Sequence, residues 1–291
     1  MSYDMRVKAP AKVNIGLRVL PGREDGYHGI ESVFQCVPLY DVLYVKQTAD
    51  FGCGCTVSCD GMTLPEENTL TLAYKAFSDV AGVSKPINVC LEKHIPAGAG
   101  LGGGSSDAAA LVNALEYMYN VSLSIEDRWN IASKVGSDVF FFLSPEAMKS
   151  QCALVSGRGE IVKAFPSRQD LFFVLICPEV HSSTKDAYCL VDNWYAPDWL
   201  WSGPAYSSLV DEYNSDVKSW SFINSFETPL VKRFSQIGEA LQDLKNAGAE
   251  YVQMSGSGSA VFGVFESSVL ADNAAFDLRK KWKRCYSLIS S

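Results

Sequence analysis

Alternation of apolar and polar positions predicts strands over 5–9, 13–19, 32–38, 41–47, 54–59 and 87–92. A 3.6-residue period predicts helices over 68–81, 105–119 and 124–135. The clearest stripe is Leu111, Val112, Leu115, Met118 and Tyr119, behind the strong helix formers Ala108 to Ala110. Ser105 or Ser106 can cap that helix. The next helix opens on Ser124-x-x-Asp127, a capping pattern, and closes on Gly136. Two continuous apolar runs, 139–143 and 171–177, suit buried strands. After Glu160 the texture changes, and 166–170 reads as a linker into a second unit. There the expected strands are 171–177, 251–255 and 260–265, and the expected helices are 183–191, 222–226 onward, 231–247 and 268–282.

Between the strand at 87–92 and the helix lies Pro96-Ala97-Gly98-Ala99-Gly100-Leu101-Gly102-Gly103-Gly104-Ser105-Ser106-Asp107, with five glycines in seven positions. Glycine lets the backbone take positive φ and approach a ligand closely. The first turn of a helix offers unpaired N–H groups and the positive end of its dipole, so this order suits phosphate. Neither a Lys-Ser/Thr pair nor a tidy dinucleotide-binding βαβ unit accompanies it.

The chain has 291 residues, 47% hydrophobic and 20% charged, enough for one large or two modest domains. A net charge of −8 argues against a nucleic-acid or membrane-surface binder, so an anionic substrate must be met by local groups. The first residues do not read as a signal peptide, and no apolar run approaches a membrane span. Nine scattered cysteines point to reduced thiols and a cytoplasmic location. Cys53, Cys55, Val57 and Cys59 share one face of a strand, and no second Cys/His pair stands at zinc spacing, so no metal site is expected.

Further segments carry groups that phosphoryl transfer needs. In Pro10-Ala11-Lys12-Val13-Asn14 a cation and an amide point the same way from a strand. Asp25-Gly26-Tyr27-His28 offers an aromatic face and an imidazole suited to a planar base. Asp138, in Gly136-Ser137-Asp138-Val139, places a carboxylate at the mouth of a buried run. Gly256-Ser257-Gly258 forms a second glycine-serine loop, able to present N–H groups or to act only as a hairpin turn. The aromatic stretch 193–201 reads as a packed surface loop, with ligand stacking as the alternative.

In this order the segments resemble the GHMP small-molecule kinases, whose phosphate loop P-x-x-x-G-L-G-S/G-S-S is matched by 96–106. The resemblance implies an α+β fold of two domains, 1–165 like ribosomal protein S5 domain 2 and 166–291 ferredoxin-like, with the site in the cleft between them. ATP with Mg²⁺ would lie over the glycine loop, helped by Asn68 and Lys93. The D-G-Y-H turn points to a CDP-linked polyol, phosphorylated on a tertiary hydroxyl. Asp138 would take the hydroxyl proton, Lys12 would orient it, and Asn14 would hold the polyol. Tyr27 and His28 would recognise cytosine, and Ser183, Thr184 and 256–258 would line the substrate pocket. Asp107, Phe140 and Ser225 depart from the family pattern. Homoserine, mevalonate or a sugar are alternative acceptors, a nucleotide-binding protein without catalysis is another reading, and monomer and weak homodimer are equally compatible.

Overall fold

The computed structural model describes residues 3–24, 26–48, 54–83, 85–180, 182–195 and 202–290. Strands β1 (Met5–Gly22) and β2 (His28–Gln47) form a long antiparallel ribbon. Each replaces two shorter strands expected from the alternation, because breaks such as Pro10 become register shifts inside a strand. β3 (Cys55–Cys59), α1 (Thr69–Ala81), β4 (Ile87–Glu92), α2 (Gly103–Tyr119) and α3 (Ile125–Val135) follow. Then come α4 (Val139–Leu143), α5 (Pro145–Ser150), β5 (Cys152–Gly157) and β6 (Ile161–Ala164). The first sheet has the order β3-β4-β2-β5-β6, with β1 on the other edge of β2.

The second sheet is built from β7 (Phe172–Ile176), α6 (Thr184–Tyr195), α7 (Leu209–Asn214), α8 (Glu227–Arg233), α9 (Ser235–Asn246), β8 (Tyr251–Met254), β9 (Val261–Phe265), α10 (Ser268–Leu278) and β10 (Cys285–Ile289). Its order β10-β7-β9-β8 is antiparallel throughout, which is the ferredoxin-like 4-1-3-2 arrangement. The second half is therefore α+β as expected.

Two register shifts between β1 and β2 decide what faces what: at Pro10/Ala11 the extra residues, 38 and 39, are on β2, and at Ile15/Leu17 the extra residue, Gly16, is on β1. Ala9 lies in the core shared with the helices, and after the register shift at Pro10/Ala11 the residues Ala11, Val13 and Ile15 face the second sheet, among Phe173, Leu175, Phe262 and Val264. A second shift between Ile15 and Leu17 returns Leu17 and Val19 to the helix side. Gly16 makes that turn at φ 69°, where an added Cβ would meet Phe222 Cδ1 at 2.7 Å. Between the two shifts Lys12 and Asn14 point away from the second sheet, toward the helices.

Several sequence expectations are corrected. Residues 139–143 form helix α4, not a strand; every one is buried, so the run shows no period that could separate the two. Residues 222–226 are not helical: Leu17 and Asn224 form a bridge alongside β1, and the Asn224 side chain accepts from Phe226 N. The helix expected over 231–247 is broken at Phe234, which is extended between α8 and α9. α10 stops at Leu278, short of 282. Strands β5, β6 and β10 were not predicted: all are short, and β5 and β10 are defined by the distant partners β2 and β7. The apolar stripe of β3 survives in Cys55, Val57 and Cys59, while Cys53 and most of the aromatic stretch 193–201 lie outside the described residues.

Phe141 in α4 is fully buried and packs edge-on against Phe34, 5.4 Å between ring centroids. Phe141→Ala is expected to lower unfolding free energy by about 3–5 kcal/mol, through lost transfer energy and the cavity left behind. A reduced urea midpoint with an unchanged m-value checks this.

Candidate active site

The glycine loop is held open by a second loop. Gly98, Gly100 and Gly102 all have positive φ, at 66°, 79° and 69°. At Gly100 an added Cβ would stand 2.2 Å from the Ser255 carbonyl oxygen, so only glycine fits there. Ala260 N donates to Ala99 O at 3.0 Å and Ser255 Oγ to Gly100 O at 2.9 Å, which ties the β8–β9 hairpin loop to the glycine loop. Residues 256–258 thus lie in the β8–β9 hairpin loop, packed on the glycine loop. Helix α2 begins at Gly103 with Gly102 as its cap and no side-chain cap, two residues earlier than predicted. The N–H groups of its first turn consequently open beside the loop.

Below the loop sits a buried cation. Lys12 is 3% exposed, and its Nζ lies 3.2 Å from Asp138 Oδ2, donates to Asn14 Oδ1 at 2.6 Å and stands 4.6 Å from the centre of the Phe34 ring. The backbone N of Lys12 donates to Leu101 O, so the same residue touches loop and carboxylate. Asn14 Nδ2 donates to Ser32 Oγ, which in turn donates to Gly16 O. Asp138 precedes α4 without capping it, which leaves its carboxylate to the cavity. Its side chain is 28% exposed, open to a reactant on one side.

These groups line one cavity of about 1010 Å³, at the top of the usual range for small-molecule sites of about 300–1,000 Å³. Its wall holds Lys12, Asn14, Tyr27, His28, Asn68, Lys93, residues 96–105, Asp138, Thr184, Gly256 and Ser257. Three predicted site residues do not reach it. Ser106 is buried behind the loop, Gly258 stands against Met254, and Ser183 accepts from Asp186 N at the start of α6. Asn68 reaches the wall, but its side chain caps α1, accepting from Leu70 N and Thr71 N and donating to Pro65 O. Thr184 Oγ1 lies 3.2 Å from Ser257 Oγ.

At the far end, His28 Nε2 lies 2.8 Å from Asp192 Oδ1, and the imidazole stacks on Tyr188 at 4.9 Å between centroids. Tyr188 and Asp192 were missed from sequence. Their i, i+4 spacing on α6 was the available signal, but only the fold brings that helix face to the β1–β2 turn.

Residues 68–146 match the family "GHMP kinases N terminal domain" and residues 214–284 match "GHMP kinases C terminal". A 4-diphosphocytidyl-2-C-methyl-D-erythritol kinase of Treponema pallidum is 39% identical over 292 residues, covering 97% of both chains. The chain belongs to the GHMP kinases. A crystal structure of a 4-(cytidine 5'-diphospho)-2C-methyl-D-erythritol kinase matches with TM-score 0.76 at 33% identity, covering 98% of each chain. A homoserine kinase structure from Cytophaga hutchinsonii, 18% identical with TM-score 0.69 and covering 100% of this chain and 96% of its own, shares the fold. As a GHMP kinase the protein is an ATP-dependent small-molecule kinase with two domains of that family.

The departures from the family pattern find local partners in this kinase. Asp107 does not stand as a bare charge by the glycine loop: Lys93 Nζ pairs with it at 2.8 Å and with Asp41, which also accepts from His94 N and Ile95 N. Burial still pushes the Asp107 carboxyl up to about 7, against the pull of Lys93. Burial works to lower Lys93, and its two carboxylates outweigh that and raise it. Phe140 packs edge-on against Trp129. Ser225 Oγ accepts from Val19 N, while Asn224 Nδ2 donates to Met254 O and Gly256 O, fixing the second loop.

Glu227 supports the same loop by accepting from Met254 N at 2.8 Å, and burial raises its carboxyl to about 7. The folded state therefore keeps a proton that the unfolded chain releases near pH 4–5, so this group makes stability fall as pH rises from there to about 7. The slope from one such group is at most about 1.4 kcal/mol per pH unit. Glu227→Gln is expected to flatten unfolding free energy against pH over that window, leaving the part that Asp107 contributes. Gly100→Ala is expected to abolish ATP binding in calorimetry, since loop and hairpin cannot then touch.

Proposed function

We propose that this kinase transfers the γ-phosphoryl group of ATP to the 2-hydroxyl of 4-diphosphocytidyl-2-C-methyl-D-erythritol, giving the 2-phosphate and ADP. The observation that carries the reading is the Lys12–Asp138 pair on the wall of one cavity that holds the glycine loop and, beyond it, His28 and Tyr27. The substrate named for the 39% identical relative agrees with that layout.

Asp138 takes the hydroxyl proton, the oxygen attacks the γ-phosphorus, and the bond to the ADP oxygen breaks in line. Lys12 holds the carboxylate in place and offsets charge on the transferred group. Asn14 is the polyol contact, and the first-turn N–H groups of α2 with residues 96–105 hold the ATP phosphates. His28 and Tyr27 hold cytosine, with Thr184, Ser257 and neighbouring Gly256 beside the substrate. Asn68 and Lys93 border the adenosine side, contributing shape more than free polar atoms.

No group of three acidic, His or Cys residues that could hold a metal occurs among the described residues. Mg²⁺ would arrive on the ATP phosphates, and Ser105 on the cavity wall would offer a hydroxyl oxygen of the kind it takes. When bound, Mg²⁺ would supply positive charge that offsets the charge of the phosphates. The reading goes with a division at 165/166, between β6 and β7, a cytoplasmic location and a monomer or weak homodimer. Eight described cysteines, all free, agree with a reducing compartment.

Asp138→Asn is expected to lower kcat on the order of a hundred- to ten-thousandfold with little change in ATP affinity. Retained turnover would remove Asp138 from this role. His28→Ala is expected to raise KM for the CDP-linked substrate and leave KM for ATP unchanged. The deciding assay is ADP release from Mg-ATP with the CDP-linked polyol beside homoserine, mevalonate and galactose, with product mass recorded. Turnover with another acceptor alone would discard the substrate.

A further inference from the structure

Four lysines and arginines line the cavity: Lys12, Lys93, Arg158 and Lys185. Lys12 is paired with Asp138, and Lys93 with Asp41 and Asp107. Among the described residues no carboxylate pairs with Arg158 or Lys185. The wall otherwise offers the carboxylates Asp107, Asp138 and Asp192. A diphosphate entering this acidic protein needs a cation that is still available.

Arg158 is placed for that and is held there. It sits at the tip of the β5–β6 hairpin between Gly157 and Gly159, both at positive φ. An added Cβ on Gly159 would lie 2.6 Å from Ser137 O, so the tip packs directly on the turn that carries Asp138. The Trp129 indole N–H, donating to Glu160 O, anchors the tip from behind. On its other side the Arg158 guanidinium lies 3.6 Å from the centre of the Tyr27 ring. Arg158 thus spans the interval between the base-recognition turn and the reacting carboxylate. A planar fork stacked on an aromatic ring loses little freedom when it takes two phosphate oxygens. Lys185, on the first turn of α6, has no comparable platform among the described residues.

We propose that Arg158 binds the diphosphate of the nucleotide-linked substrate, with Tyr27 as its platform. The inference rests on the substrate reading above, since only a nucleoside-diphosphate-linked acceptor puts phosphates at this point. It makes Arg158 a specificity residue: it separates a cytidine diphosphate from bare cytidine at the same base pocket.

The test is calorimetric titration of the full chain with CDP and with cytidine, alongside steady-state kinetics with the CDP-linked polyol. Arg158→Ala is expected to weaken CDP ten- to a hundredfold, in keeping with loss of charge-assisted hydrogen bonds, and to leave cytidine unchanged. KM for the CDP-linked substrate should rise with it while KM for ATP holds. Arg158→Lys should recover part of the loss, and Lys185→Ala should leave the CDP-to-cytidine ratio alone. Arg158 is exposed, so its replacement does not threaten the fold. Equal losses for CDP and cytidine would mean that it only props Tyr27, and would overturn the proposal. So would an unchanged CDP affinity, or a loss carried by Lys185→Ala instead. If the wild type phosphorylates the CDP-linked polyol and Arg158→Ala matches it, this inference alone falls. Wild-type turnover confined to another acceptor would sink both readings.

Discussion

The site depends on keeping an ammonium group almost out of water. Lys12 is 3% exposed, and an isolated charge there would cost several kcal/mol. Asp138, the Asn14 amide oxygen and the Phe34 ring together offset that cost. Each of those partners comes from a different element: the turn before α4, β1 itself, and β2. The backbone of Lys12 also carries the glycine loop through Leu101 O. Loss of the cation would leave a carboxylate and an amide facing each other beneath the loop, so the pair fixes positions as well as charge.

Two register shifts in the β1–β2 ribbon make that burial attainable. Without the register shifts at Pro10/Ala11 and Gly16, one parity of β1 would face the same core from end to end. The shifts let Ala11, Val13 and Ile15 pack on the second sheet while Lys12 and Asn14 turn to the cavity. The two sheets therefore share a core just behind the site, which joins the halves where the chemistry is held. Ser255 and Asn224, both from the second half, complete the anchoring of the glycine loop and its partner hairpin.

Much of this was readable in the sequence because it was local. The glycine run, the helix behind it, the Lys12–Asn14 parity and the ferredoxin-like order of elements all follow from short-range pattern and from resemblance. What failed did so for identifiable reasons. The run 139–143 is buried on every side and carries no period. Residues 222–226 were expected to start a helix, but the Asn224 amide serves two carbonyls 30 and 32 residues away. Ser105 and Ser106 were offered as caps where Gly102, at a φ closed to most residues, starts the helix.

The sequence by itself determined the glycine loop, the reaction class and most of the residues on the cavity wall, because glycine conformation, helix dipole and strand parity act over a few residues. Tertiary structure decided which charges remain available to a ligand. Lys93 is taken up by Asp41 and Asp107, His28 meets Asp192 and Tyr188, and Arg158 is brought onto Tyr27 by a hairpin more than a hundred residues away. Ion pairing and ring stacking depend on distance in space, and no spacing along the chain encodes that distance.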